Sequence, residues 1–260
     1  MVTYSKCPEC GYERQAGEGG DPDVCPRCGL VFSKWMKRRF AAARPAVEER
    51  LDSDESGTSR LKDLWVGLRE RAVFVDPEMS SSRLYAYAAI YVVFFLWGWS
   101  FILMDYQSNE IGSSFMHRID LVFHEAGHVV FRLFGHFVMV LGGSLGQLLM
   151  PLIVMLALLV KNRDPFGASI GLWWLAQSLM DLAPYINDAR AMRLVLLGGG
   201  TGRDRPGMHD WHNILSSLGM LKADHTLAAL TDGLGVVLML GAFVWGGYIL
   251  LRQYRLSRIA

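Results

Sequence analysis

The pentapeptide His124-Glu125-Ala126-Gly127-His128 lies inside a hydrophobic run, with Val122-Phe123 before it and Val129-Val130 after it. Residues four apart on a helix share a face, so His124 and His128 can offer two imidazole nitrogens to one ion while Glu125 projects beside them. A zinc ion held by two histidines and one further protein ligand keeps a position open for water. It lowers the pKa of that water toward neutrality and leaves the glutamate as general base. The plainer reading is two helical histidines satisfied by hydrogen bonds or a structural metal. Ionisable side chains in an apolar helix are costly and usually functional, however. The pattern therefore predicts a catalytic zinc site with His124 and His128 as ligands and Glu125 as base.

Hydrophobicity is concentrated after residue 82. Apolar residues make up 52% of the chain, above the usual soluble range, and they collect in Leu84–Met104, Ile119–Leu141, Leu148–Val160, Phe166–Ile186 and Leu227–Leu251. The first of these carries no charge and has Tyr and Trp near its ends, the mark of a membrane span. The expected fold is an all-α polytopic membrane helical bundle with a small N-terminal zinc ribbon. Because His124, Glu125, His128, Arg132 and His136 share one stretch, that stretch is expected at the centre of the bundle, away from lipid. Gly142-Gly143-Ser144-Leu145-Gly146-Gln147 predicts a break between helices that also allows close approach. Pro184 predicts another break, freeing local backbone between Asp181 and Asp188. Gly198-Gly199-Gly200-Thr201-Gly202 lacks the flanking strand and helix of a phosphate loop and reads as a linker.

Before residue 83 the chain is of another kind. Cys7-Pro8-Glu9-Cys10-Gly11 and Cys25-Pro26-Arg27-Cys28-Gly29 are two copies of one knuckle. Their thiolates can close a tetrahedron around a structural zinc, or around iron with the same ligands. Paired CxxC units of this kind suit metal binding in a reducing compartment. The segment resembles rubredoxin-like zinc ribbons over about its first 33 residues. Lys34, Lys37, Arg38, Arg39 and Arg44 then mark a solvated basic helix, and Asp52 to Ser59 a flexible acidic linker. Leu61, Leu64, Trp65 and Leu68 predict an amphipathic helix lying on the membrane or on the bundle. The expected division is 1–33 ribbon, 34–82 connecting helices and linker, and 83–260 membrane domain. A net charge of +1 argues against a nucleic-acid partner. The first Cys pair follows Met1 to Lys6 directly, without a cleavable signal.

Topology poses a conflict. The low positive charge of Asp105–Arg118, set against the basic N-terminal side, favours a cytoplasmic ribbon. Five apolar stretches put the ends on opposite sides, yet both ends are basic, which asks for an even number of crossings. Either the HExxH segment is re-entrant or Ala191–Leu197 takes part.

The third ligand is approached by elimination. No Glu follows Glu125, and Phe131 and Phe134 stand where the extended motif HExxHxxGxxH needs Gly and His. There remain Asp164, Asp181, Asp188, Asp204, Asp210, Asp224, Asp232, His136, His209, His212 and His225. Asp181 and Asp188 are the preferred pair, since a carboxylate in an apolar segment is expensive unless a metal offsets it. His209 and His212 form a second possible site or a ligand folding back from a polar loop.

At these residues the chain resembles the site-2 protease family of membrane-embedded zinc metalloproteases. HEAGH at 124–128, the glycine-rich 142–147 segment, and Asp181-Leu182-Ala183-Pro184 with Asp188 stand where that family has its HExxH, a helix-opening turn, and its Asn-x-x-Pro and Leu-Asp-Gly pair. The resemblance covers roughly residues 119–195. It implies zinc ligands at His124, His128 and Asp188, with Asp181 the alternative because Asp181 replaces the Asn, Ala189 replaces the Gly and the spacing is one shorter. It further implies peptide-bond hydrolysis on membrane-anchored or membrane-adjacent substrates, with the ribbon open to a protein partner. A catalytically inactive zinc-ribbon scaffold and a metal-ion transporter are the alternatives from the same residues. HEAGH also occurs in AAA-type membrane proteases, but the chain has no GxxxxGK[ST] loop.

Overall fold

The computed structural model describes residues 5–15, 18–38, 62–63 and 65–258. The chain divides into two compact units, Met1–Gly67 and Leu68–Ala260. The acidic 52–59 stretch, Arg39 and Arg44 of the basic helix, and Leu61 and Leu64 lie outside the described residues.

In the first unit each knuckle is a tight turn closed by an isolated antiparallel bridge, Lys6 with Glu13 and Val24 with Val31. Gly11 (φ 69°) and Gly29 (φ 73°) adopt the left-handed backbone that the turns require. Cys7, Cys25 and Phe32 form its small core.

The second unit is helical. α1 (Ser81–Ile102) starts at Ser80, whose side chain accepts from the Arg83 amide. α2 (Phe115–Phe131) is capped in the same way by Ser114. α3 (His136–Leu156) continues through one π turn, Ala157–Lys161. α4 (Pro165–Asn187) opens with Pro165 behind an Asp164 cap, a combination that suits a helix start. α5 (Asp210–Ser217) is short, and α6 (Asp224–Ser257) is the longest helix. Three helical runs, Ser81–Ile102, His136–Lys161 and Leu221–Ser257, are long and apolar enough to cross a membrane. Their outward faces stay apolar, with Val93, Ile153 and Val244 all exposed.

One end of the bundle collects the start of α1, the end of α3, the start of α4 and the end of α6. There Trp245 donates to the Ala72 carbonyl at 2.7 Å, and Gln253 accepts from the Asp76 amide and donates to its carbonyl. A cavity of about 270 Å³ at this end is lined by Arg83, Asn162, Phe166 and Ile249, among others. At 1.5 Å per residue these helices run roughly 30 Å or more, so their other ends lie away from this one, on the distal side. In the chain α2 stands between the end of α1 and the start of α3, and its first turn packs through Met116 beside Trp173 and Met239.

Four expectations need correction. The HExxH helix does not run from Ile119 to Leu141. It stops at Phe131, and the chain turns at Gly135 (φ 94°), a backbone angle closed to most side chains. The glycine-rich segment is not a break but the middle of α3. Its glycines serve approach: a Cβ on Gly127 of α2 would collide with the Gly142 carbonyl, and one on Gly146 with the Phe123 carbonyl. Pro184 does not end α4, which continues to Asn187. One lost N–H is tolerated where the flanking turns are buried, and Leu182, Ala183 and Ile186 all are. α2 is also less central than expected. Met116, Asp120, His124 and Gly127 are buried, but Val122, Val129 and Val130 face outward.

The α2–α3 crossing gives a first test. Gly127→Val is expected to lower the thermal unfolding midpoint of the detergent-solubilised chain, since overpacking costs about 1–3 kcal/mol or more. Gly241→Ala, whose added Cβ meets nothing within 4 Å, is expected to leave that midpoint unchanged or slightly higher. Equal effects of the two would refute the close crossing.

Candidate metal centre

Two groups of side chains in the described residues could hold a metal ion: Cys7, Cys10, Cys25 and Cys28, and His124, His128 and Asp210.

In the first, Cys7 Sγ and Cys28 Sγ stand 3.7 Å apart, as do Cys10 Sγ and Cys25 Sγ. That is far too long for a disulfide, but sulfurs bound at about 2.3 Å to a tetrahedral ion lie about 3.8 Å apart. Burial works to raise the Cys25 thiol, but the backbone amides of Cys28 and Arg27 outweigh it and hold it down to about 6. A thiolate at neutral pH is what a metal ligand needs.

The second group is assembled from two elements. His124 and His128 come from one face of α2, and Asp210 from the first residue of α5. Asp210 Oδ2 lies 3.0 Å from His124 Nε2 and 3.3 Å from His128 Nε2. Ligands at about 2.0–2.1 Å from a tetrahedral ion are separated by about 3.3 Å. The outer nitrogens are both committed. His128 Nδ1 lies 2.8 Å from the Met139 carbonyl, an acceptor only, so Nδ1 carries the hydrogen. His124 Nδ1 lies 3.2 Å from Gln147 Oε1. The Gln147 amide is oriented because its other end faces the Ser178 carbonyl at 3.3 Å and Asp181 Oδ2 at 3.0 Å, both acceptors. Its NH₂ must point there and its oxygen toward His124. In the neutral imidazoles, then, both Nε2 lone pairs aim at a carboxylate. Only protons or a cation between these three atoms can relieve that arrangement. Without a metal, burial works to raise the Asp210 carboxyl, but the hydrogen bonds and charges of His124 and His128 outweigh it and hold it down to about 2.

The space is reserved as well. A Cβ added to Gly143 would come within 2.5 Å of His124 Nε2 and 2.6 Å of His128 Nε2, so only glycine leaves the ligand nitrogens clear. Tyr185 steadies Asp210 from α4: its hydroxyl accepts from the Asp210 amide at 2.9 Å and lies 3.3 Å from Oδ2. Trp211 ties α5 to α3 through Ser144 Oγ at 3.2 Å.

Asp210 thus occupies the position expected of Asp188 or Asp181, and both of those lie one step behind the cluster. Asp181 pairs with His117 Nδ1 at 2.9 Å and with Gln147. Asp188 accepts from the amides of Arg193 and Leu194, and from His209 Nε2 at 3.3 Å. His209 in turn caps α5, accepting from the His212 amide, so Asp188 braces the residue next to Asp210. Burial of a carboxylate was a sound signal of involvement but not of ligation. Asp210 is among the candidates that elimination leaves but not the preferred pair, because its sequence neighbours read as a polar loop. The available signal was Pro206-Gly207 followed by His209-Asp210, a turn and a helix cap. The Gly198–Gly202 segment is a tight turn and not an open linker: Gly198, Gly199 and Gly200 have φ of 85°, 83° and 80°, and Val195 bridges Thr201.

Glu125 is exposed on the outer side of α2, close enough to His128 and Tyr185 for its charge to act on both.

Comparison of the chain with family models, with curated proteins and with solved structures finds no match.

Metal analysis of the purified full chain separates the two centres. Wild type is expected to hold one ion per group, and Asp210→Ala to lose the ion of the bundle only. Paired Cys7→Ser and Cys25→Ser changes are expected to lose the ribbon's only. An Asp210→Ala chain with wild-type content would exclude Asp210 as a ligand.

Proposed function

We propose that this is a polytopic membrane metalloprotease that cleaves peptide bonds of membrane-anchored or membrane-adjacent substrates, with zinc held by His124, His128 and Asp210 and Glu125 as general base. The carrying observation is the convergence of three donor atoms, with committed outer nitrogens, on a space kept open by Gly143 beside the glutamate of an HExxH motif. Zinc bound there would supply Lewis acidity and an activated water.

The chain's own residues account for the rest of the chemistry. Gln147 and the Met139 carbonyl hold the two imidazoles in the tautomer that leaves Nε2 free. Tyr185 keeps Asp210 turned toward them. Glu125 would take a proton from the attacking water and return it to the leaving amine.

The substrate class follows from the surroundings of Glu125. Val122 is 64% exposed and Val129 73% exposed, and at helical spacing they share the outer face of α2 with Glu125. A base set in an uncovered apolar stripe suits an apolar chain segment arriving from the bilayer. α1, α3, α4 and α6 would cross the membrane while α2 re-enters from the distal side. The end bearing Arg252, Arg255 and Arg258 is assigned to the cytoplasm, consistent with thiolate ligands in a reducing compartment.

Glu125→Gln is the deciding variant. In proteoliposomes with single-span model substrates it is expected to reduce cleavage by about 10²–10⁴-fold while keeping wild-type metal content. Cleavage at the wild-type rate would overturn the assignment of the base.

A further inference from the structure

Resting on the reading of His124, His128 and Asp210 as a metal centre, we infer that Asp181, which touches neither ion nor ligand, is a positioning residue for that centre. By fixing which way the Gln147 amide faces, it fixes which nitrogen of His124 is left for the metal.

A side-chain amide can be turned over at almost no cost in shape, exchanging its donor and acceptor ends. Turned over, Gln147 would present NH₂ to His124 Nδ1. That nitrogen would then have to accept, the ring hydrogen would move to Nε2, and the lone pair aimed at Asp210 would disappear. What prevents the exchange is the other end of the amide. It faces two oxygens that can only accept, the Ser178 carbonyl at 3.3 Å and Asp181 Oδ2 at 3.0 Å. The carbonyl is the longer contact and neutral; Asp181 is shorter and charged, so it contributes the larger share.

Asp181 is itself held. Its carboxylate lies 2.9 and 3.1 Å from His117 Nδ1 through its two oxygens, and its side chain is 4% exposed against 34% for His117. His117 is the first residue whose amide the Ser114 cap engages, so the pair is anchored where α2 begins. A continuous line of hydrogen bonds therefore runs from the start of α2, through α4 and α3, and back to α2 one helical stretch later. It explains a buried carboxylate that would otherwise be an unrewarded cost in an apolar helix.

The test uses the full chain loaded with cobalt(II). Thiolate-to-cobalt charge-transfer absorption reports the ribbon, and the visible ligand-field bands report the nitrogen and oxygen site. Competition with a chelator then ranks affinities, with the ribbon as internal reference for folded chain. Asp181→Leu is expected to weaken the bundle site by about 10–100-fold, the usual effect of losing an outer partner of a metal ligand, and to shift its ligand-field bands. Asp181→Asn, nearly isosteric, keeps an acceptor oxygen for Gln147 and is expected to retain wild-type affinity. Because Asp181 acts through Gln147, Asp181→Leu added to Gln147→Leu is expected to cost nothing beyond Gln147→Leu alone. Additive losses, or an Asp181→Leu chain with wild-type affinity and spectrum, would overturn the inference; so would Asp181→Asn as weak as Asp181→Leu. If wild type itself binds cobalt only through thiolates, the metal centre is what fails.

Discussion

Three electron-rich atoms pointed at one another organise the bundle. His124 Nε2, His128 Nε2 and Asp210 Oδ2 come from two helices far apart in sequence and meet within 4.8 Å. In a low-dielectric interior such a meeting repels unless something positive sits within it. The outer hydrogen bonds deny the imidazoles the option of turning their lone pairs elsewhere. Protons or a metal ion can fill the gap, and the two compete. Gly143, Tyr185, Gln147 and the Ser144–Trp211 contact all act to keep this one arrangement available.

That demand explains features of the fold that look odd element by element. α2 has to reach α3 closely enough for Gln147 and the Met139 carbonyl to touch its histidines, and side chains at the crossing would hold the helices apart. Hence Gly127 faces Gly142 and Gly146 across backbone-to-backbone contact. Such contacts are how helices associate where lipid supplies no hydrophobic drive. α4 brings Tyr185 to Asp210 near the end of a helix that continues past Pro184, so that Ser178, Asp181 and Tyr185 fall on successive turns.

The sequence announced the metal centre and the ribbon more plainly than their details. Residues joined by local spacing were legible: His124 with His128, and the two CPxCG turns, need only a helix or a knuckle to come together. Leu84–Met104 was legible as a span because lipid exposure imposes composition directly. Asp210 was not legible, since its role depends on a connection of more than twenty residues folding back over α3, and nothing local distinguishes it from a surface carboxylate. The misread glycines and Pro184 share one cause. In water these residues end helices; between packed helices the same small side chain or missing N–H serves approach or is sheltered. Asp181 and Asp188 were correctly picked out as costly, but a buried carboxylate can be balanced by an imidazole, and His117 and His209 do that.

Charge balance gives a reason for the ligand set. Two neutral imidazoles and a divalent ion leave two positive charges in a medium that tolerates few. In the proposed centre Asp210 would cancel one and Glu125 the other, so the loaded centre with its base would be neutral. A third histidine in place of Asp210 would leave the centre charged. On that reading the carboxylates at 210 and 125 would meet one electrostatic requirement together, the first turned inward to the imidazoles and the second exposed on the outer side of α2. The pairs behind them obey the same rule: Asp181 with His117 and Asp188 with His209 each set an acid against a group able to become a cation. Electrostatics in an apolar bundle therefore selects the residue types, and the hydrogen-bond geometry decides which of the three carboxylates faces the two imidazoles.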